Sequence, residues 1–341
     1  MNAITPSLAA ATEAASLPAA PAIREAGIYD LTHEEYHADP CIIPSLSSSI
    51  AKLLIRKTAS HAWQAHARFG NVGIVPTRVM DDGSTMHAML LGQAHLIDPV
   101  RAVYGPKHEL KGKPVTDYKT AAAQEERDEI RGMGRIPVLA HRLPELLRCK
   151  AAAVDQIADT EDGPGFLAPG RNEVCVISRE DDVFLRCLVD RLPDDPALPP
   201  YDLKCTELSA APGGWDRRLQ TEYAFQDAFY RRVIQGARGV APEPMRFGVI
   251  ELDPPHGVVF MAAEADLRAL AEIEVERAIQ LWRRCISTNT WPGYSKKTAW
   301  IGATAWQITQ SEDAAEIDAT ALRDRIGAPA TFDAVKALRA A

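Results

Sequence analysis

Apolar and polar positions follow two different periods along this chain, and the change comes near residue 172. Upstream, apolar residues recur every three or four positions, the spacing of an amphipathic helix. "IYDLTHEEYH" (28–37) predicts a short strand or turn and then a helical turn, with Thr32 as N-cap and Glu35 three residues on. "PSLSSSIAKLLIRKTASHAWQAHARF" (44–69) predicts a serine-capped helix, a break and a second helical segment. Residues 83–97, "GSTMHAMLLGQAHLI", carry helical spacing with Ser84 or Thr85 as the cap. A Gly/Pro/Lys-rich stretch at 105–116 predicts a mobile loop, and helix formers dominate 117–160 with a break near Gly132–Pro137.

Downstream of a loop at 161–171 the pattern alternates or runs apolar, as strands do. "NEVCVIS" (172–178) and "VFLRCLVDRL" (183–192) flank an acidic turn, a hairpin signature. "YDLKCTE" (201–207) makes a third strand, and "MRFGVIEL" (245–252) and "GVVFMAA" (257–263) two more. Residues 215–236 predict an amphipathic helix closed by Gly236, and 265–286 a long helix. Helices followed by a βββαββα order predict an α/β (α+β) class, with one central mixed sheet flanked by helices and a helical N-terminal region. The expected organisation is a single domain over 26–310, with a helical part at 26–160 and a sheet core at 172–290. It follows a disordered Ala/Pro-rich arm at 1–25 and precedes a tail or accessory helix at 311–341.

Charge and cysteines narrow the function classes. A net charge of −8 argues against a basic surface that wraps nucleic acid, but leaves room for an enzyme with a confined basic groove. The six cysteines show no CxxC and no zinc-type spacing, and Cys175, Cys187 and Cys205, in the predicted core strands, are expected as small buried hydrophobes in a reducing cytoplasm. No apolar run approaches the roughly 18 residues of a membrane span, and no membrane association is expected. The first 22 residues lack the basic start and strong apolar core of a secretory signal.

Candidate chemistry centres on Asp202-Leu203-Lys204. On a strand, Asp202 and Lys204 share one face while Leu203 takes the other. Such a pair is either a solvated ion pair of little worth or an acid that holds a divalent cation beside an orienting lysine. Two further acid-x-Lys triplets, at 109–111 and 117–119, make the triplet weak evidence by itself. Its surroundings add to it. Asp190 closes the apolar run before it, and Glu173 starts the first hairpin strand. Gln226 and Tyr230 lie at i, i+4 on the next helix, with Tyr223 near the same face. For that helix in isolation, a core Tyr230 and a surface Gln226 are the plainer reading. His87 lies upstream, where a helical histidine is more often packed than ligating.

The ordered set "GSTMH" (83–87), "NEV" (172–174), "LVDR" (188–191), "YDLKC" (201–205) and "YAFQDAFY" (223–230) resembles the PD-(D/E)XK nuclease superfamily, with its restriction-endonuclease-like core. Within it, the chain is similar to the exodeoxyribonuclease VIII branch, the RecE-type phage recombination exonucleases. "EEYHADPCIIPSLSSSIAKLL" (34–54) and "WPGY" (291–294) are similar to outer motifs of that branch. The resemblance implies a metal-dependent DNA exonuclease acting on linear duplex ends, with Mg2+ as cofactor and Mn2+ as a substitute. It implies metal ligands at His87, Asp190, Asp202 and the Leu203 carbonyl, and phosphate or hydroxide stabilisation by Lys204. It places Glu173 among the catalytic acids and gives DNA-end positioning to Gln226, Tyr230 and Tyr223. It implies a ring-shaped homo-oligomer and a single-strand annealing protein as partner, in recombination or repair. One departure is Leu188, where the branch usually has an arginine two residues before the hairpin aspartate. The other readings are a PD-(D/E)XK endonuclease or repair nuclease, and an inactive DNA-binding or assembly protein; the intact Asp190, Asp202 and Lys204 speak against the last. Arg217/Arg218, Arg231/Arg232, Arg283/Arg284 and Lys296/Lys297 are basic pairs available for DNA or simply for solvent.

Overall fold

The computed structural model describes residues 22–72 and 76–326. The expected arm therefore lies outside the described residues up to position 21, as does the tail from 327 on. Packing begins earlier than Gly27: Ile23 is buried and bridges Cys41. Strand β1 (Gly27–Tyr29) leads to helix α1 (His33–His37), where Thr32 Oγ1 accepts from Glu35 N and a Glu35 carboxylate oxygen accepts from Thr32 N at 2.8 Å. That reciprocal pair is the capping box expected from sequence. Strand β2 (Leu46–Ser47) runs straight into α2 (Ser48–Arg56), capped by Ser47, and α3 (Ala59–Ala65) follows, capped by Thr58.

Helix α4 (Arg78–Leu90) corrects the expectation for 83–97 at both ends. Its N-cap is Thr77, not Ser84 or Thr85. Its first turns are polar and held by ion pairs: Asp81 with Arg131 at 2.8 Å, and Asp82 with Arg78 at 2.7 Å and Arg142 at 3.1 Å. An apolar period cannot reveal a turn stabilised in that way. Beyond Leu90 the chain leaves the helix for a 3-10 turn and strand β3 (Ile97–Val100). Helix α5 (Ala121–Gly132), strand β4 (Ile136–Leu139) and helices α6 (Leu143–Ala158) and α7 (Gly163–Leu167) complete the N-terminal part. The break near Gly132–Pro137 thus holds a strand, which pairs in parallel with β3.

The second part follows the expected βββαββα order, with the one helix expected at 215–236 divided into two. It comprises β5 (Gly170–Glu180), β6 (Val183–Pro193), β7 (Tyr201–Thr206), α8 (Pro212–Arg218), α9 (Ala224–Arg238), β8 (Arg246–Glu251), β9 (Val258–Met261) and α10 (Ala265–Thr288). A π-type turn, Leu219–Tyr223, joins α8 to α9. Gly239 ends α9 in the left-handed region (φ 75°), whereas Gly236 stays inside it. A Cβ on Gly236 would lie 2.6 Å from Ser178 Cβ, so this glycine serves close packing rather than chain reversal.

The central sheet has the order β1-β5-β6-β7-β8-β9, with β2 added beside β6. Only β7–β8 and β2–β6 are parallel, so the sheet is mixed, and helices flank it as expected for the class. Alternation along β7 sends Tyr201 and Leu203 to a core shared with Met86 of α4 and Leu146 and Ile157 of α6. The opposite core joins Val174, Leu185 and Val189 to Phe225 and Phe229 of α9 and Val275 and Trp282 of α10. Each such side chain contributes roughly 1.5–3 kcal/mol by leaving water, and together they fix the sheet between the two helical layers.

The chain divides into two units after Gly293. Helix α11 (Ala305–Ile326) belongs to the second, and the boundary expected at 310 falls inside that helix. Among the described residues, no helix is long and apolar enough to cross a membrane. All six cysteines are free.

Candidate metal centre

Strands β6 and β7 are paired at a single register position, Arg191 with Tyr201, and then splay apart. The separation leaves the Leu203 N–H without a ladder partner on that side. The Asp190 side chain takes it instead, with Leu203 N donating to Asp190 Oδ2 at 2.7 Å. A buried backbone donor must be satisfied, so this bond both closes the gap and aims a carboxylate into it. Asp190 lies within β6 rather than at its end, and is 8% exposed.

Glu173 stands across from Asp190 on β5. The ladder pairs Asn172 with Arg191 and Val174 with Val189, and skips the step between them. Glu173 has φ 48°, a left-handed conformation that costs a non-glycine residue about 1–3 kcal/mol. Its carboxylate ends beside Asp190 and His87, and one ligand atom from each of the three lies within 4.8 Å of the others. His87 Nδ1 is 3.5 Å from Asp190 Oδ2.

The electrostatics show a surplus of negative charge. Burial pushes the Glu173 carboxyl well above the usual carboxylate range, and the Asp190 and Asp202 charges push it further while Lys204 opposes them. Burial likewise raises Asp190, with Asp202 adding to it and His87, Lys204 and the Leu203 N–H working against it. Two like charges about 4 Å apart repel by roughly 4 kcal/mol at an effective dielectric of about 20. A cation between Glu173 and Asp190 removes that penalty. Two carboxylates and an imidazole form a donor set that fits a divalent metal ion, and Mn2+ tolerates imidazole better than Mg2+ does.

Asp202 stands on the adjoining strand. It is 2% exposed and belongs to the same site, but outside the three-atom cluster. Gln226 Nε2 donates to its Oδ1 at 2.6 Å, and Lys204 Nζ pairs with its Oδ2. Burial would lower the Lys204 pKa, but Asp202 and Asp190 outweigh it and hold the ammonium charged. Gln226 is buried at 7% exposure, so the surface reading that suits the helix in isolation does not hold. Leu203 contributes its N–H to Asp190 and its side chain to the core. Tyr223, the last residue of the π-type turn, lies under Lys204, with the ammonium 5.4 Å from the ring centroid. Tyr230 packs on the α9–α10 core, and burial keeps its phenol protonated.

The structure also adds residues that sequence reasoning missed. Lys52 of α2 is half-buried, and its pKa is pulled down to about 8 by burial and then by Lys204, against Glu222 and Asp202. It is a second ammonium at the Asp202–Lys204 side of the site. One turn before it, the buried Ser48 Oγ has no partner. Their signal was a polar pair at i, i+4, Ser48 and Lys52, in the otherwise apolar "SSIAKLL" (48–54). Asn172 Nδ2 donates to Leu91 O at 3.0 Å and its Oδ1 accepts from Arg191 at 3.0 Å, which ties the end of α4, and so His87, to β5.

Among solved structures, the chain is similar to a protein from Eubacterium rectale named as a candidate exonuclease. The match covers 82% of this chain and 98% of that one, with a TM-score of 0.51 at 10% identity. The likeness is one of fold. No family model and no curated protein matches the chain.

Three of the basic pairs divide into two groups. Arg231 pairs with Glu272, Arg232 with Glu180 and Glu276, and Arg283 with Asp182. These tie α9 and α10 to each other and to the β5–β6 turn, a structural role. Arg218 instead stacks over Trp215, at 5.0 Å from its centroid, near the Tyr223 side of the site. Where the branch would have an arginine, Leu188 packs against a small core with Cys175 and Phe184. The buried Arg186 is engaged by Asp39 at 3.8 Å and by Ser45.

Proposed function

We propose that this protein is a divalent-metal-dependent nuclease that hydrolyses DNA phosphodiesters from linear ends. The observation that carries the reading is the convergence of His87, Glu173 and Asp190 beside a buried Asp202–Lys204 pair. A lone acidic cluster would suit many enzymes. A charged lysine held next to it suits one whose substrate is an anion. The fold shared with the Eubacterium rectale protein and the ordered motifs support the same reading.

His87, Glu173 and Asp190 would hold the cation, with Asp202 and the Leu203 carbonyl as further oxygen donors on the adjoining strand. When bound, a Mg2+ or Mn2+ ion would neutralise phosphate charge and acidify a water molecule. The chain's own groups do the rest. Lys204 keeps its proton on Nζ and presents positive charge to the developing negative charge of the phosphate. Asp202 keeps it charged, and Gln226 fixes Asp202. Tyr223 limits where the ammonium can swing. Lys52 supplies a second cation to the same phosphate region. The RecE-type assignment, and with it the digestion of duplex ends in recombination, rests on the sequence motifs.

The test is degradation of end-labelled linear duplex DNA with Mg2+, beside the same DNA as a closed circle and beside Lys204→Ala protein. The expected result is loss of the linear form alone, slowed at least about a hundredfold by the substitution. Cutting of the circle would replace the exonuclease by an endonuclease. No cutting with either Mg2+ or Mn2+ would overturn the nuclease reading.

A further inference from the structure

His33 and His37 stand one turn apart on α1, outside the site described above, and both are exposed. Their Nε2 atoms are 3.0 Å apart. At that distance both cannot carry protons, so one ring donates and the other accepts. The rings are tilted by 50° with centroids 4.1 Å apart, so the two nitrogens converge while the rings splay. Two nitrogens bound to one metal ion at about 2.0–2.1 Å, roughly at right angles, are separated by about 2.8–3.0 Å. The pair is therefore already spaced as two adjacent ligands of a square-planar or octahedral ion. The capping box fixes the helix beneath it, with Thr32 and Glu35 bonded to each other.

We propose that His33 and His37 form a second metal site, for a late divalent transition-metal ion such as Ni2+ or Cu2+, with solvent in the remaining positions. Two imidazoles and water are borderline ligands that favour such ions over Mg2+. No net proton need be lost. Each neutral imidazole carries one ring proton; on binding, the donor ring moves its proton from Nε2 to Nδ1 by exchange with solvent, and both Nε2 lone pairs face the ion. The ion would bridge residues 33 and 37 and stabilise the segment that leads to Asp39 and β2. The carboxylate-rich cluster at His87 is a hard site by comparison, so the two are separable by choice of metal.

The experiment is calorimetric titration of the full chain with Ni2+ at about pH 8, with Mg2+ in large excess to occupy the hard site. The native protein, His33→Ala and His37→Ala are compared, and the melting temperature is read with and without Ni2+. The native chain is expected to bind one more Ni2+ than either variant and to gain a melting-temperature increase that both variants lose. Equal stoichiometry in native and His33→Ala protein would overturn the proposal. His33 is exposed and belongs to none of the buried apolar clusters, so that variant decides even where His37→Ala folds poorly. The outcome is independent of whether the protein cuts DNA.

Discussion

Asp227 illustrates at the residue scale what burial does when no cation is at hand. It is fully buried on α9; Oδ1 accepts from Met245 N at 2.8 Å, and Oδ2 has no partner. Burial pushes its carboxyl up to about 6, against the Met245 bond and the charges of Arg231 and Arg268. A folded pKa above the unfolded value favours the folded state only while the group is protonated. The native state therefore loses stability as pH rises from about 4 to above 6, by up to about 3 kcal/mol. Asp227→Asn should flatten this part of the profile, so that its urea midpoint falls less than the native one between pH 4.5 and 7. Parallel profiles would show that Asp227 titrates normally. Glu173 and Asp190 are raised by the same burial but also by neighbouring carboxylates, Glu173 by Asp190 and Asp202 and Asp190 by Asp202, which is why they, and not Asp227, suit a cation. Residue identity made Asp190, Asp202 and Lys204 legible in the sequence, because charges inside apolar strands are conspicuous. Lys52 left only a faint trace, its i, i+4 spacing from Ser48, since a lysine on a helix is ordinarily at the surface and only the fold brings it to Lys204.

At the scale of elements, the strands of the second part were legible because alternation and turn chemistry agree there. The exceptions have physical causes. The start of α4 was hidden because ion pairs, not apolar spacing, hold its first turns. Strand β4 was hidden because four residues within a helix-rich stretch give too short a period. The end of α9 was misplaced because Gly236 looks like a helix terminator, while its actual use is the close approach to Ser178. That use fixes the sign of a substitution. Alanine is favoured over glycine in a helix by about 1 kcal/mol, but its Cβ would lie 2.6 Å from Ser178 Cβ. Overpacking of a filled core costs about 1–3 kcal/mol. Gly236→Ala should therefore destabilise, by up to about 2 kcal/mol in urea unfolding. An increase in stability would show that α9 can move off β5 freely.

Over the whole molecule, the acidic balance and the fate of the arginines bear on how the proposed nucleic-acid substrate would be held. Arg232 makes ion pairs with Glu180 at 2.6 Å and with Glu276 at 2.7 Å, joining β5, α9 and α10. Removing it as Arg232→Ala should lower stability by about 1 kcal/mol, the scale of a small ion-pair network. It should leave the salt dependence of DNA binding unchanged, because a residue that touches no phosphate releases no counterion. A shallower salt slope would move Arg232 into the DNA contact. In the proposed nuclease, grip is expected instead from the site itself, where Lys204 and Lys52 gather beside the carboxylates proposed to hold a cation.

The metal centre is the claim on which the rest depends, and Mn2+ binding measures it most directly. Native protein and Asp190→Asn are titrated with Mn2+ under identical conditions, with circular dichroism to verify that both are folded. The account predicts that the substitution weakens the tightest Mn2+ site at least about tenfold with the fold intact, because one carboxylate of the set is lost. Equal affinity in the two proteins would contradict a metal centre built on His87, Glu173 and Asp190.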